Sequence, residues 1–154
     1  MLATLQKYIE MVHTMRTITR EDKVAEFHRA MKTDVGVQPR ISLIQLREKL
    51  LIEECGEVCT ELNKIEMTLT HGKPVGKEQW ADLLKELCDL QYVLSGTIIS
   101  FNAIMGSFNP AFNRVHSSNM SKLDDEGNPV LNEDGKVTKG PNYKKPTLED
   151  LITC

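Results

Sequence analysis

The stretch LLIEECGEV at positions 50–58 decides how the chain is read. Glu54 and Glu57 stand three residues apart in a segment where Leu43, Leu46 and Leu50 recur at steps of three and four. That spacing is helical and puts both carboxylates on one face, about one turn apart. A second stretch, KELCDLQYV at 85–93, repeats the arrangement with Glu86 and Asp89, among Leu83, Leu87, Leu90 and Val93. Acids set in an apolar stripe are costly unless a cation neutralises them. If the two helices fold antiparallel the pairs meet, and anions about 5 Å apart repel by about 3 kcal/mol per pair at an effective dielectric near 20. A divalent cation removes that cost, so the spacing predicts a metal site. Hard oxygen donors without histidine favour Mg²⁺ or Mn²⁺ over zinc.

Neighbouring acids extend both stripes. Glu53, Glu54 and Glu57 fall within an arc of roughly 100°, and Asp82, Glu86 and Asp89 follow an i, i+4, i+7 pattern. Asp82 reads as structural, partnered by Lys85 and complementing the start of its helix. Cys55, Cys59 and Cys88 read as small buried residues beneath the acids, and Trp80 as core.

Composition sets outer bounds. A chain of 154 residues is one domain's worth, and a net charge of −3 with 27% charged residues excludes a nucleic-acid-coating surface and a disordered acidic tail. No segment resembles a membrane span. The opening MLATLQKYIEMVHTM lacks the basic and continuously apolar parts of a signal peptide. Four cysteines, the fourth being Cys154, form no disulfide framework, which predicts a reduced, cytoplasmic setting.

The periodicity predicts an all-α fold in a single domain, 1–154. An additional N-terminal helix is expected within residues 1–20, and a helix capped by Thr19 and Asp22 runs to about Met31. Long helices follow over about 41–69 and 77–105, separated by HGKPVG at 71–76. Gly106 to Pro110 reads as a break, about 111–122 as a shorter helix, 123–146 as an extended or hairpin-like tail, and 147–152 as a final turn. DDEGN at 124–128 faintly echoes a calcium loop, but its distal spacing fits turns better. A hairpin of two long helices closes a core poorly alone, so a four-helix bundle completed by dimerisation is expected.

EECGE at 53–57 followed by ELCD at 86–89 resembles the ExxE…ExxD signature of the MazG-like all-α nucleoside triphosphate pyrophosphohydrolases. FHRA at 27–30, the LR…LLxEE run at 46–54, VHSSNMSK at 115–122 and DGKVTKGPNY at 134–143 resemble the branch related to phosphoribosyl-ATP pyrophosphohydrolase, common in phages and bacteria. The likeness spans about residues 22–152. It implies water attack on the α-phosphorus of a nucleoside triphosphate, giving monophosphate and pyrophosphate. Glu54, Glu57, Glu86 and Asp89 would hold two or three Mg²⁺ ions, with Mn²⁺ as a substitute, and Glu53 would help activate the water. Asn119 and Lys122 would contact phosphates, Lys122 matching the family's phosphate-contacting lysine. Many relatives carry an arginine where this chain has Ser117, so that cationic contact is either missing or supplied by Arg114. Lys139, Tyr143 and Lys144 would close over the nucleotide, and His28, beside Phe27, would line a nucleoside pocket. The implied assembly is a homodimer or homotetramer without nucleic-acid or membrane partners. Pyrimidine deoxynucleotides (dUTP, dCTP) are the nearest implied substrates, with dGTP open; phosphoribosyl-ATP fits less well, since its basic phosphate loops are not evident. The alternative is a non-catalytic, nucleotide-sensing or partner-binding helical dimer.

Overall fold

Thr19 opens the first helix because its hydroxyl and the Asp22 carboxylate satisfy the backbone N–H groups that a helix start leaves unpaired. The Asp22 N–H donates to Thr19 Oγ1 at 3.1 Å, and the Thr19 N–H donates back to Asp22 Oδ2 at 3.0 Å. The structure is a computed structural model that describes residues 18–153; the helix expected within residues 1–20 lies largely outside them. In chain order the helices are α1 (Arg20–Ala30), α2 (Ile41–Thr70), α3 (Lys77–Ser100), α4 (Asn102–Met105) and α5 (Phe108–Met120), with a 3₁₀ turn at Glu149–Leu151. No strand forms among the described residues; the fold is all-α, as the periodicity predicts.

Two compact units are present. The first comprises the described residues up to Val35 together with Arg40–Ile99; the second comprises Gly36–Pro39 and the residues from Ser100 onward. In the first, α2 and α3 run antiparallel. Val58, Ile65 and Leu83 pack between them with Val75 and Leu90, and Gln79 bonds Thr68 across the turn at 2.8 Å. Val24 and Ala25 of α1 pack on Ile99 and Val35. Ser95, fully buried, donates to Glu21 at 2.9 Å and accepts from Gln91 at 3.0 Å, tying α1 to α3.

Helix boundaries depart from the periodicity in two places. The helix expected to 105 stops at Ser100, whose carbonyl accepts the Val37 N–H at 3.0 Å; the Ile104 N–H turns to Phe101 at 2.9 Å and starts the separate α4. The expected break at 106–110 is shorter, since α5 already begins at Phe108. Pro110 then lies in its first turn, where a missing N–H breaks no helical bond.

The tail is hairpin-like, as expected, but built as two copies of one turn. LDDEGNPV at 123–130 and LNEDGKVT at 131–138 are in tandem. Asp124 Oδ1 accepts the Asn128 N–H and Asn132 Oδ1 accepts the Lys136 N–H, each at 2.8 Å. Gly127 (φ 84°) and Gly135 (φ 74°) take left-handed conformations at matching positions. Single bridges, Leu123 to Pro129 and Leu131 to Val137, close the loops.

Candidate metal centre

α2 and α3 bring their acids together. Carboxylate oxygens of Glu54, Glu57 and Glu86 all lie within 4.8 Å of one another. The i,i+3 spacing aims Glu54 and Glu57 at the facing helix, and antiparallel pairing sets Glu86 opposite. Asp89 belongs to the same field, since its charge, with those of Glu57 and Glu53, acts on Glu54.

The electrostatics are those of crowded anions. Burial, then the charges of Glu57, Asp89 and Glu53, holds the Glu54 carboxyl above the ordinary range. Glu57 is also held high, first by a hydrogen bond with Glu86 that requires a proton between the two groups, then by Glu86's charge. Lys85 partly compensates: its ammonium lies 3.1 and 3.0 Å from the Glu86 oxygens and 3.1 Å from Asp89 Oδ2, and these partners raise its own pKa. Lys85 therefore does not partner Asp82 as expected. An i,i+4 reach towards Asp89 follows the inward stripe, and the charge near Asp82 is that of Lys64.

These residues fit a hard divalent cation. Glu54 Oε2 is buried without a hydrogen-bond partner, an orphaned anionic oxygen that a cation would satisfy. The donors are all carboxylates, and Lys85 alone cannot balance four of them. Glu53 is exposed on the adjoining arc, close enough for its charge to act on Glu54 and Glu57.

Other expected residues fall as follows. His28 is only 5% exposed, and Nδ1 lies 2.9 Å from the Asp34 carbonyl oxygen. Because a carbonyl only accepts, Nδ1 carries the proton. Phe27 and Tyr92 meet edge to face, with ring centroids 5.5 Å apart. In the second unit, Asn119 is exposed and Lys122 half-buried at the end of α5. The tail returns there: a Cβ at Gly140 would collide with the Lys122 carbonyl, and the Lys144 N–H donates to Ser121 Oγ at 2.8 Å. Lys139 sits 4.7 Å above the Tyr143 ring. Arg114 is not a free substitute for the missing cation at Ser117, because Asp150 and the Thr147 carbonyl hold it at 2.7 and 2.8 Å.

Two expectations fail on burial. Cys55, Cys59 and Cys88 are exposed free thiols, and Trp80 is 52% exposed. They lie off the inward stripe, on helix faces that the other described residues leave uncovered. Sequence reasoning also passed over Glu61, buried on the Glu54 stripe and paired with Lys64 at 2.6 Å, and gave no role to Arg47, buried on the same stripe. Both were marked by a charge recurring at apolar, core-facing positions.

Residues 24–119, well over half of the chain, match the family model described as phosphoribosyl-ATP pyrophosphohydrolase, within the MazG-like all-α superfamily. No curated protein matches the chain. The family's members are pyrophosphohydrolases acting on nucleotides, typically with a divalent metal.

Proposed function

The chain belongs to the phosphoribosyl-ATP pyrophosphohydrolase family, and from that premise we propose that it hydrolyses a (deoxy)nucleoside triphosphate to the monophosphate and pyrophosphate, dependent on Mg²⁺. The observation that carries the reading is the meeting of Glu54, Glu57 and Glu86 within 4.8 Å, with Asp89 beside them. Those four carboxylates are the groups that would hold the metal, and a divalent ion bound there supplies charge neutralisation to the phosphates and the leaving group.

The chain's own residues supply the rest. Glu53 is exposed at the edge of the cluster and accepts the proton of the attacking water. The bond between the α-phosphorus and its bridging oxygen breaks, and pyrophosphate leaves. Asn119, Lys122, Lys139 and Tyr143 are assigned to substrate by their match to the family motifs, with His28 on the nucleoside side. The whole chain then serves as one catalytic domain. Pool control of dUTP, dCTP or dGTP is the cellular role that this chemistry suits. Exposed apolar residues on α2 (Ile41, Ile44, Ile52, Leu62, Leu69) and α3 (Leu84, Leu87, Leu94) support a homodimer or homotetramer. No helix among the described residues is long and apolar enough to cross a membrane.

The test is a panel of ribo- and deoxynucleoside triphosphates with phosphoribosyl-ATP, each with Mg²⁺ or Mn²⁺, scored by product. Monophosphate with pyrophosphate is expected. Diphosphate with orthophosphate would mean attack at a terminal phosphorus, turnover of phosphoribosyl-ATP alone would replace the substrate class, and nucleotide binding without hydrolysis would favour the non-catalytic alternative.

A further inference from the structure

Arg47 is only 7% exposed, and its side chain has no hydrogen bond or ion pair among the described residues; its Nε is buried and unpartnered. Asp34, the carboxylate whose charge reaches it, is held instead by Arg40 at 3.2 and 2.6 Å. A guanidinium so largely buried, with its Nε unpartnered and no acceptor for its other N–H groups among the described residues, is costly until an acceptor is supplied. A Cβ at Gly96 would stand 2.8 Å from Arg47 Nη1 and 3.1 Å from His28 Nε2, so glycine there lets both nitrogens lie against α3. With Nδ1 donating to the Asp34 carbonyl, Nε2 is the His28 nitrogen left beside the arginine's donors.

The position relative to the acids is informative. Arg47 precedes Glu54 by seven residues on α2, and Gly96 follows Asp89 by seven on α3. In antiparallel helices, both steps lead the same way, about 10 Å along the hairpin, a length comparable to that from an α-phosphate to the far edge of a base. Tyr92, with Phe27 edge-on against it, lies between them on the α3 face that carries Asp89 and Gly96. Anionic cluster, aromatic pair and planar fork of donors thus follow one another in the order of a nucleotide's phosphate, base face and base edge.

We propose that Arg47 reads the base of the substrate, selecting an edge with two adjacent acceptors. This rests on the reading that the acid cluster takes the phosphates. A guanidinium fork pairs two parallel N–H groups with two neighbouring acceptors. Guanine (O6, N7) and cytosine (O2, N3) present them; adenine, uracil and thymine place a donor next to each acceptor. A further N–H beside the acceptors, at cytosine N4 or guanine N1, suits His28 Nε2.

The test compares kcat/KM for dGTP, dCTP, dATP, dUTP and dTTP in the full chain and in its Arg47→Met and Arg47→Lys variants. In parallel, thermal stabilisation by the corresponding deoxynucleoside monophosphates is measured without metal. Wild type is expected to favour dGTP or dCTP by at least about tenfold, the two arms deciding between them, and to be stabilised most by the matching monophosphate. Arg47→Met should collapse both preferences while leaving the melting temperature unchanged or higher, because an unpaired buried charge has been removed. Arg47→Lys should not restore them, since an ammonium lacks the fork. A flat wild-type profile, or a preference that survives in a folded Arg47→Met protein, overturns the proposal. If no triphosphate is hydrolysed, the reaction proposed above fails, and the monophosphate arm alone decides the base edge.

Discussion

Glu53 and Glu54 are chain neighbours, yet one turns out to the edge of the acid cluster and the other in, because successive helical side chains diverge by about 100°. Glu53→Gln is therefore expected to keep metal binding, measured by calorimetry, while losing 10²- to 10⁴-fold in kcat. A variant with full turnover would remove Glu53 from the reaction. The inward acids set the pH response. Glu54 and Glu57 have carboxyls raised above the ordinary value of 4.5, so the folded state holds protons that the unfolded chain has released. Their contribution to stability is full below about pH 4.5 and is lost as pH rises through the raised values. Metal-free protein should thus lose melting temperature on going from pH 4.5 towards neutrality, and Mg²⁺ should restore it, increasingly as the carboxyls ionise. An Mg²⁺ shift that ignores pH across this range would count against a carboxylate site. Much of this was legible in the sequence, because i,i+3 acids in an apolar stripe fix which face they share. The roles of Lys85 and Arg47 were not, since periodicity gives the face of a charge and not its partner across the hairpin.

Among the elements, the long antiparallel pair α2 and α3 was the most readable. Its periodic stripes are long, and the turn between them is marked by Gly72, Pro74 and Gly76. The stop at Ser100 was hidden, because it depends on a carbonyl claimed by Val37, over sixty positions earlier, and no local residue announces it. The tail was legible as turns from its Asp-Asn-Gly content, while its docking onto the end of α5 depends on one close approach. Gly140 lies against the Lys122 and Leu123 carbonyls and Val130. Gly140→Ala should destabilise the protein by about 1–3 kcal/mol, read as a lower midpoint in urea. If the tail lysines contact substrate, it should also raise KM. An unchanged midpoint would show that this backbone contact is easily relaxed.

At the scale of the molecule, the exposure of Ile41, Ile44, Ile52, Leu62 and Leu69 along α2 leaves an apolar stripe that the other described residues do not cover. Trp80 and the cysteines were misplaced in the sequence reading for the same cause: a periodic pattern tells apolar from polar faces and cannot say whether the cover comes from within or from a second copy. Ile52→Asp is expected to turn a dimer into a monomer in sedimentation, as a desolvated charge opposes closure of the interface. Wild-type protein that sediments as a monomer would refute the assembly. Cys55 and Cys59 share that stripe with Ile52 and Leu62, and in a lone protomer their sulfurs face water. Association would shield them from alkylating reagents and dilution would unmask them, so the rate of labelling at these two thiols doubles as a gauge of self-affinity.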